Sequence, residues 1–319
     1  MDYRWLLGIS RTPPRVRRPH NVCFVLLVVV VLASYWRSLA DLVAFSFARD
    51  QYSYIALIPL VSMVLVLRQK AAIFREARWA VLHGMVLVVF GFAGSLELAH
   101  LWRASSMASL SAAAACVVVM VTGSFVICYG ESATRAALFP LLFLLLMVPI
   151  PEQLLDSASR ALQEISCQLT YILIALAGTP VLRSGFVLST PQGGIEVASQ
   201  CSGIHSTLGL LIGSVVSGHV FLRSVWKKAF LAAAVVPVSI FKNALRIITL
   251  YWLGVHTDQR FLTGELHRNG GIPFSALALA ILAPMLWALY KSEARTDGLV
   301  PKNQAARRSL EYATAETPR

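Results

Sequence analysis

The chain is 319 residues long, 57 % hydrophobic and only 14 % charged, with a mean hydropathy of +0.66; that composition excludes a water-exposed globular domain and describes a polytopic membrane protein. Twenty-eight Lys and Arg against sixteen Asp and Glu give a formal net charge of +12, yet the basic residues flank apolar runs, as the positive-inside rule expects, and form no nucleic-acid-binding patch. The five cysteines do not make a disulfide framework: Cys23, Cys116, Cys128 and Cys167 sit in hydrophobic or amphipathic stretches without a CxxC, and Cys201 alone has polar, glycine-containing surroundings.

A spanning helix needs roughly 20 largely apolar residues. Eight stretches come near that length, at about residues 21–37, 53–68, 79–96, 107–128, 136–150, 203–222, 229–251 and 272–290. The expected class is therefore all-α, with about eight transmembrane helices. The Arg-rich start before the first run also fits a cleavable signal peptide, but the run passes into Tyr35, Trp36 and Arg37 without a small-residue cleavage site, so a retained helix is expected. The fifth run is short and closes with Pro149 and Pro151.

Residues 152–178 begin with Glu152, Asp156, Arg160, Gln163 and Glu164 and then turn apolar, a pattern that suits an interfacial or re-entrant segment. Charge decides against a full crossing. With the N-terminus in the cytoplasm and eight crossings, the basic clusters at residues 4–18, 68–78, 135, 223–228 and from 291 onward all fall inside, 19 of the 28 basic residues. The organisation that follows is a basic cytoplasmic N-terminus over 1–20, a transmembrane domain over 21–290 and a polar tail over 291–319 expected to be disordered. No internal repeat is evident.

Residues 181–200 read VLRSGFVLSTPQGGIEVASQ, whose alternating apolar positions around Pro191, Gly193 and Gly194 predict a short β-hairpin on the outer side. Cys201, Ser202, Gly203, Ile204 and His205 follow and start the sixth span. A thiol at a helix N-terminus meets unpaired N–H groups and the positive end of the helix dipole, which favour thiolate; Gly203 leaves room for a substrate backbone. In the seventh span Arg246 lies seventeen residues after Ala229, about 26 Å along the axis, which sets it level with Cys201. An ionisable group inside a span is a functional candidate. Asn243 shares its face, while Lys242 is expected to snorkel outward.

The loop over 254–271 adds His256, Glu265, His267 and Arg268 to the same side. His205, four residues after Cys201 on the same face, is a rival base. His83, His100 and His219 receive no role. His256 and His267 have neither HExxH nor CxxC around them, so no metal and no cofactor are expected.

The run GTPVLRSGFVLSTPQGGIEVASQCSGIHS, then NALRI, then LHRNGG, resembles the exosortase and archaeosortase family of membrane transpeptidases, and YSYIALIPLVSMVLVLR is similar to that family's second span. The likeness covers most of residues 45–290. It implies a site in which Cys201 is the nucleophile, Arg246 the arginine and His267 the histidine, with Asn243, Gly203 and His205 as possible supports. It implies, too, an enzyme of the inner membrane, its site facing the periplasm or exterior. That enzyme cleaves C-terminal sorting signals of the PEP-CTERM type from secreted proteins and transfers the new carboxyl group to an acceptor. The implied partners are proteins ending in an apolar helix and a basic tail, and the lipid bilayer; nucleic acid is not among them. Arginine is frequent in the family where His205 stands, and an acid where Arg268 stands, differences that bear on substrate preference. The rival readings are a non-catalytic component of exopolysaccharide export or assembly, and a transporter with Arg246 and Lys242 along its path, although neither repeated halves nor a midplane charge cluster supports the transporter.

Overall fold

The computed structural model describes residues 18–75, 77–99, 107–197, 202–256 and 271–315. They fall into two compact units, Met1–Leu155 and Asp156–Arg319.

The first unit holds α1 (Arg18–Ser34), α2 (Trp36–Ala48), a 3-10 turn (Asp50–Leu57) leading into α3 (Ile58–Arg68), the short α4 (Lys70–Ile73), α5 (Val81–Ala99), α6 (Met107–Ala136), α7 (Leu138–Phe143) and a second 3-10 turn (Leu144–Met147). Its tightest packing joins α5 and α6. A Cβ built on Gly84 would stand 2.4 Å from Ile127 Cγ1 and 2.6 Å from the Gly123 carbonyl oxygen, and one on Gly91 2.7 Å from Met120 Cγ. Small residues thus let two backbones touch, which is how helices associate where lipid offers no hydrophobic contrast. At Gly130 the helix breaks, with φ 79°, because the backbone of the incoming segment passes against it: a Cβ there would lie 2.5 Å from the Arg78 carbonyl oxygen. That segment donates from Arg78 N to Tyr129 O and from Ala80 N to Ile127 O, both at 3.2 Å. Phe24, Phe74, Phe125 and Tyr129 form an aromatic cluster with ring centroids 4.7 to 6.3 Å apart. The Tyr129 hydroxyl bonds Asn21 Oδ1 at 3.0 Å, and that of Tyr52 donates to Ile150 O at 3.0 Å.

The second unit takes in nearly all of α8 (Glu152–Leu176), followed by β1 (Leu182–Ser184), β2 (Val187–Thr190), β3 (Gly193–Glu196), α9 (Ile204–Phe221), α10 (Val225–His256) and α11 (Gly271–Ala315). The predicted hairpin is present but has three antiparallel strands in the order β1-β2-β3, with Ser184 opposite Val187 and Thr190 opposite Gly193. Gly185, at φ 61°, closes the extra two-residue turn that the sequence pattern hides inside one apolar run. Helix α8 is amphipathic: Gln163, Ser166, Cys167, Thr170 and Ile174 are buried along one stripe while Arg160, Glu164 and Gln168 are exposed. Cys167, Ile174, Leu188, Val197 and Ile247 make the core that joins α8, the sheet and α10. Arg183 on β1 reaches Glu164 and Gln168 of α8. A second cluster, Leu210, Val235, Ala278 and Leu282, joins α9, α10 and α11. The Glu293 carboxylate of α11 accepts from Arg223 N and Ser224 N, each at 2.9 Å, and so caps the start of α10.

Five helices among the described residues are long and apolar enough to cross a bilayer: Asp50–Arg68, Met107–Ala136, Ile204–Phe221, Val225–Gly254 and Pro273–Arg295. Two more arise if bent pairs count as one span each, Arg18–Ser34 with Trp36–Ala48 and Leu138–Met147 with Glu152–Leu176. Large apolar side chains are exposed along these helices, among them Leu67 and Leu176, as lipid contact requires. The chain is an all-α, multi-pass membrane protein with one small sheet. The expected eight spans are not reproduced: the first run bends by 75° after Ser34, the apolar helix Val81–Leu96 is short of a span, and the fifth run breaks into short helical pieces.

Candidate functional site

Of the residues singled out in the sequence, Cys201, His267, Glu265 and Arg268 lie outside the described residues, as does the side chain of His256. Gly203, His205, Asn243 and Arg246 are described, and two of them meet closely. Gly203 precedes α9 with φ 74° and ψ 11°, a left-handed conformation that favours glycine. A Cβ built on it would stand 3.2 Å from Asn243 Oδ1 and 3.3 Å from Asn243 Cγ. The turn therefore needs glycine twice, once for its backbone and once for the buried amide against it. Arg246 is half-buried one helical turn beyond Asn243. His205 is exposed on α9 and does not join this buried group.

Lys242 departs from expectation. It does not snorkel: it is 2 % exposed, beside Asn243 at 1 %, and its ammonium donates to Ser206 Oγ on α9. A polar head buried this far inside an apolar helix needs a hydrogen-bond partner, and α9 supplies one. Ser206 Oγ in turn donates to Gly203 O at 2.9 Å. Thr207 adds two more donors to that carbonyl, Oγ1 at 2.9 Å and backbone N at 3.0 Å. The Gly203 turn is thus pinned from α9 through its oxygen and from α10 through its Cα face.

Helix α8 supplies a further support that sequence reasoning missed. Gln163 Nε2 donates to Val197 O at 2.5 Å, and Ser159 Oγ bonds Ser202 Oγ at 2.8 Å. Side chains one turn apart on one helix therefore hold the two described residues that flank 198–201. Thr190 Oγ1 and Tyr251 OH, 2.5 Å apart, tie the sheet to α10. The available signal was the polar spacing of Ser159, Gln163 and Ser166 on a helix otherwise turning apolar, and of Lys242, Asn243 and Arg246 on α10.

Among the described residues α9 and α10 carry no acid, so this layer is cationic and rich in hydrogen-bond donors, suited to a carbonyl oxygen that gains negative charge. No group of three His, Cys, Asp or Glu that could hold a metal ion is found among the described residues.

No curated protein and no solved structure matches the chain. One family model does: transmembrane exosortase (Exosortase_EpsH), over residues 36–284. That match takes in both elements just described, the turn at Gly203 and the Lys242–Arg246 stretch of α10, together with the sheet that precedes them. The chain belongs to the transmembrane exosortase family.

Proposed function

We propose that the protein is a membrane cysteine transpeptidase or peptidase that removes C-terminal sorting signals from secreted proteins at the outer face of the inner membrane. One observation carries the reading: the segment that follows Cys201 and the segment that carries Arg246, some forty residues apart, are packed together at Gly203 and Asn243. Covalent geometry alone keeps the Cys201 Cα within about 7 Å of that of Gly203.

In the reaction, the Cys201 thiolate attacks the scissile carbonyl carbon, and the Arg246 guanidinium donates to the oxygen as it becomes an oxyanion. The tetrahedral adduct collapses, the C–N bond breaks, and the departing amine takes a proton from the His267 imidazolium. A thioester remains. Neutral His267 then accepts the proton of an incoming amine, hydroxyl or water, which attacks the thioester and expels the thiolate. The acceptor decides between transfer and hydrolysis. A substrate ending in an apolar helix and a basic tail partitions into the bilayer beside the enzyme, so that its cleavage point is held at the membrane boundary.

The test is Cys201→Ala co-expressed with such a substrate. Accumulated precursor on an immunoblot is expected, as it is for Arg246→Ala and His267→Ala, whereas His205→Ala should process close to normally. Unchanged processing by Cys201→Ala would eliminate the thiol mechanism and return the chain to a non-catalytic role in exopolysaccharide export or assembly.

A further inference from the structure

We propose that β3 is a docking edge for the substrate: the extended segment of the secreted protein that precedes its apolar helix pairs with Gly194 and Glu196 as a fourth strand of the sheet. The inference rests on the cysteine reading above and adds to it how the substrate backbone is gripped.

The sheet order β1-β2-β3 gives β3 a neighbouring strand on one side only. Register decides which of its groups face away. Val197 N donates to Phe186 O at 2.9 Å, and opposed residues of an antiparallel ladder alternate between exchanging both hydrogen bonds and exchanging neither. Stepping by two through the opposed pairs Leu188–Ile195 and Thr190–Gly193, Gly193 and Ile195 bond β2, so the N–H and C=O of Gly194 and Glu196 point out of the sheet. Among the described residues no backbone group outside the sheet bonds them. Gly193, Gly194 and Glu196 are exposed, and on a glycine the exposed surface is backbone, so the edge itself is open. A Cβ built on Gly194 meets nothing nearer than 3.8 Å, which leaves room over the strand for a partner's side chain.

The other edge offers less. On β1 the same alternation turns only Arg183 outward, and its guanidinium is already engaged by Glu164 and Gln168 of α8. Exposed edges normally carry a lysine, a proline or a bulge that discourages pairing. Gly193–Glu196 has none of these.

Such an edge recognises an extended peptide backbone. A ladder on Gly194 and Glu196 alone is too small to hold a second free copy of this chain, but it suffices to align a ligand whose apolar helix already confines it to the same bilayer at high effective concentration. Five residues separate Glu196 from Cys201 in the chain, so chain length alone keeps their Cα atoms within about 18 Å. A substrate of a few extended residues covers that distance.

The experiment uses full-length enzyme with Cys201→Ala and Cys23→Ser, because Cys116, Cys128 and Cys167 are buried, and a co-expressed secreted protein ending in an apolar helix and a basic tail. Glu196→Cys or Gly194→Cys is added to the enzyme, and single cysteines are moved residue by residue through the substrate segment before its apolar helix. Oxidation of the membranes with copper phenanthroline should cross-link every second substrate position, since cross-strand Cα atoms about 5.5 Å apart suit a disulfide and alternate side chains face opposite ways. The favoured position should shift by two residues between Glu196→Cys and Gly194→Cys. No cross-link to substrate, cross-links at successive positions without alternation, or cross-links between two enzyme copies alone would each overturn the proposal.

A second measurement uses the enzyme with Cys201 in place. Glu196→Pro removes an outward N–H without touching the bonds to β2, and processing should fall about tenfold; Glu196→Ala keeps the N–H and should lose no more than about twofold, as an exposed carboxylate contributes little. Wild-type processing by Glu196→Pro, or equal losses in the two variants, also overturns it. If Glu196→Pro does not fold, the cross-linking pattern decides. Cys201→Ala that still processes substrate removes the cysteine reading and this inference with it; Cys201→Ala that accumulates precursor without an alternating cross-link removes this inference alone.

Discussion

Gly203 illustrates how one residue joins two distant motifs. Its left-handed φ of 74° and its lack of a Cβ against Asn243 mean that any side chain there is strained and crowded together. Gly203→Ala should therefore destabilise the protein by about 1–3 kcal/mol and abolish processing, checked by thermal unfolding in micelles alongside the precursor assay. A fully active Gly203→Ala would show that the turn tolerates displacement. The glycine's proximity to the thiol was legible in the sequence, as was the candidacy of Arg246. The burial of Lys242 was not, because snorkelling and burial differ in whether a partner stands opposite, and Ser206 belongs to another helix. His205 was read as a rival because spacing put it on the face of Cys201; its exposure depends on what packs around α9, which spacing does not contain.

At the scale of elements, α8 matters more than its sequence suggested. Its charges suggest an interfacial or re-entrant segment, and the polar part of its buried stripe bonds Val197 and Ser202. Gln163→Leu keeps most of the volume and removes the donor to Val197 O, leaving a buried carbonyl unsatisfied. The expected cost is about 1–3 kcal/mol, against roughly 0.5–1.5 kcal/mol for Ser159→Ala, with processing falling in the same order; equal thermal midpoints for wild type and Gln163→Leu would sink this account. The sheet shows a similar limit of pattern reading. Alternation identified extended chain and the turn around Pro191, while Gly185 sat inside a run whose apolar residues conceal a second reversal. Backbone conformation at that glycine, φ 61°, decides the third strand.

For the whole molecule, apolar content points to a multi-pass membrane protein, and the large apolar side chains exposed along its helices agree. Orientation is the testable consequence. With basic clusters inside, single cysteines introduced near the N-terminus and in the tail after Lys291 of an otherwise cysteine-free protein should resist a membrane-impermeant maleimide in intact spheroplasts, and Cys201 restored in that background should label. Labelling of the tail cysteine, with Cys201 protected, would reverse the arrangement. Span number was less legible, because hydropathy counts apolar residues and registers neither the bend after Ser34, where Tyr35 leaves the helical region at φ −110° and ψ 16°, nor the break at Gly130 against the Arg78 carbonyl. Class, family likeness and the cysteine, arginine and histidine candidates follow from the sequence by itself, because composition, helical spacing and motif order are properties of the chain taken along its length. Tertiary structure alone decided that Asn243 fills the space beside Gly203, that Lys242 turns inward to Ser206, and that α8 grips both flanks of the cysteine segment, because each depends on groups that become neighbours only when distant helices pack.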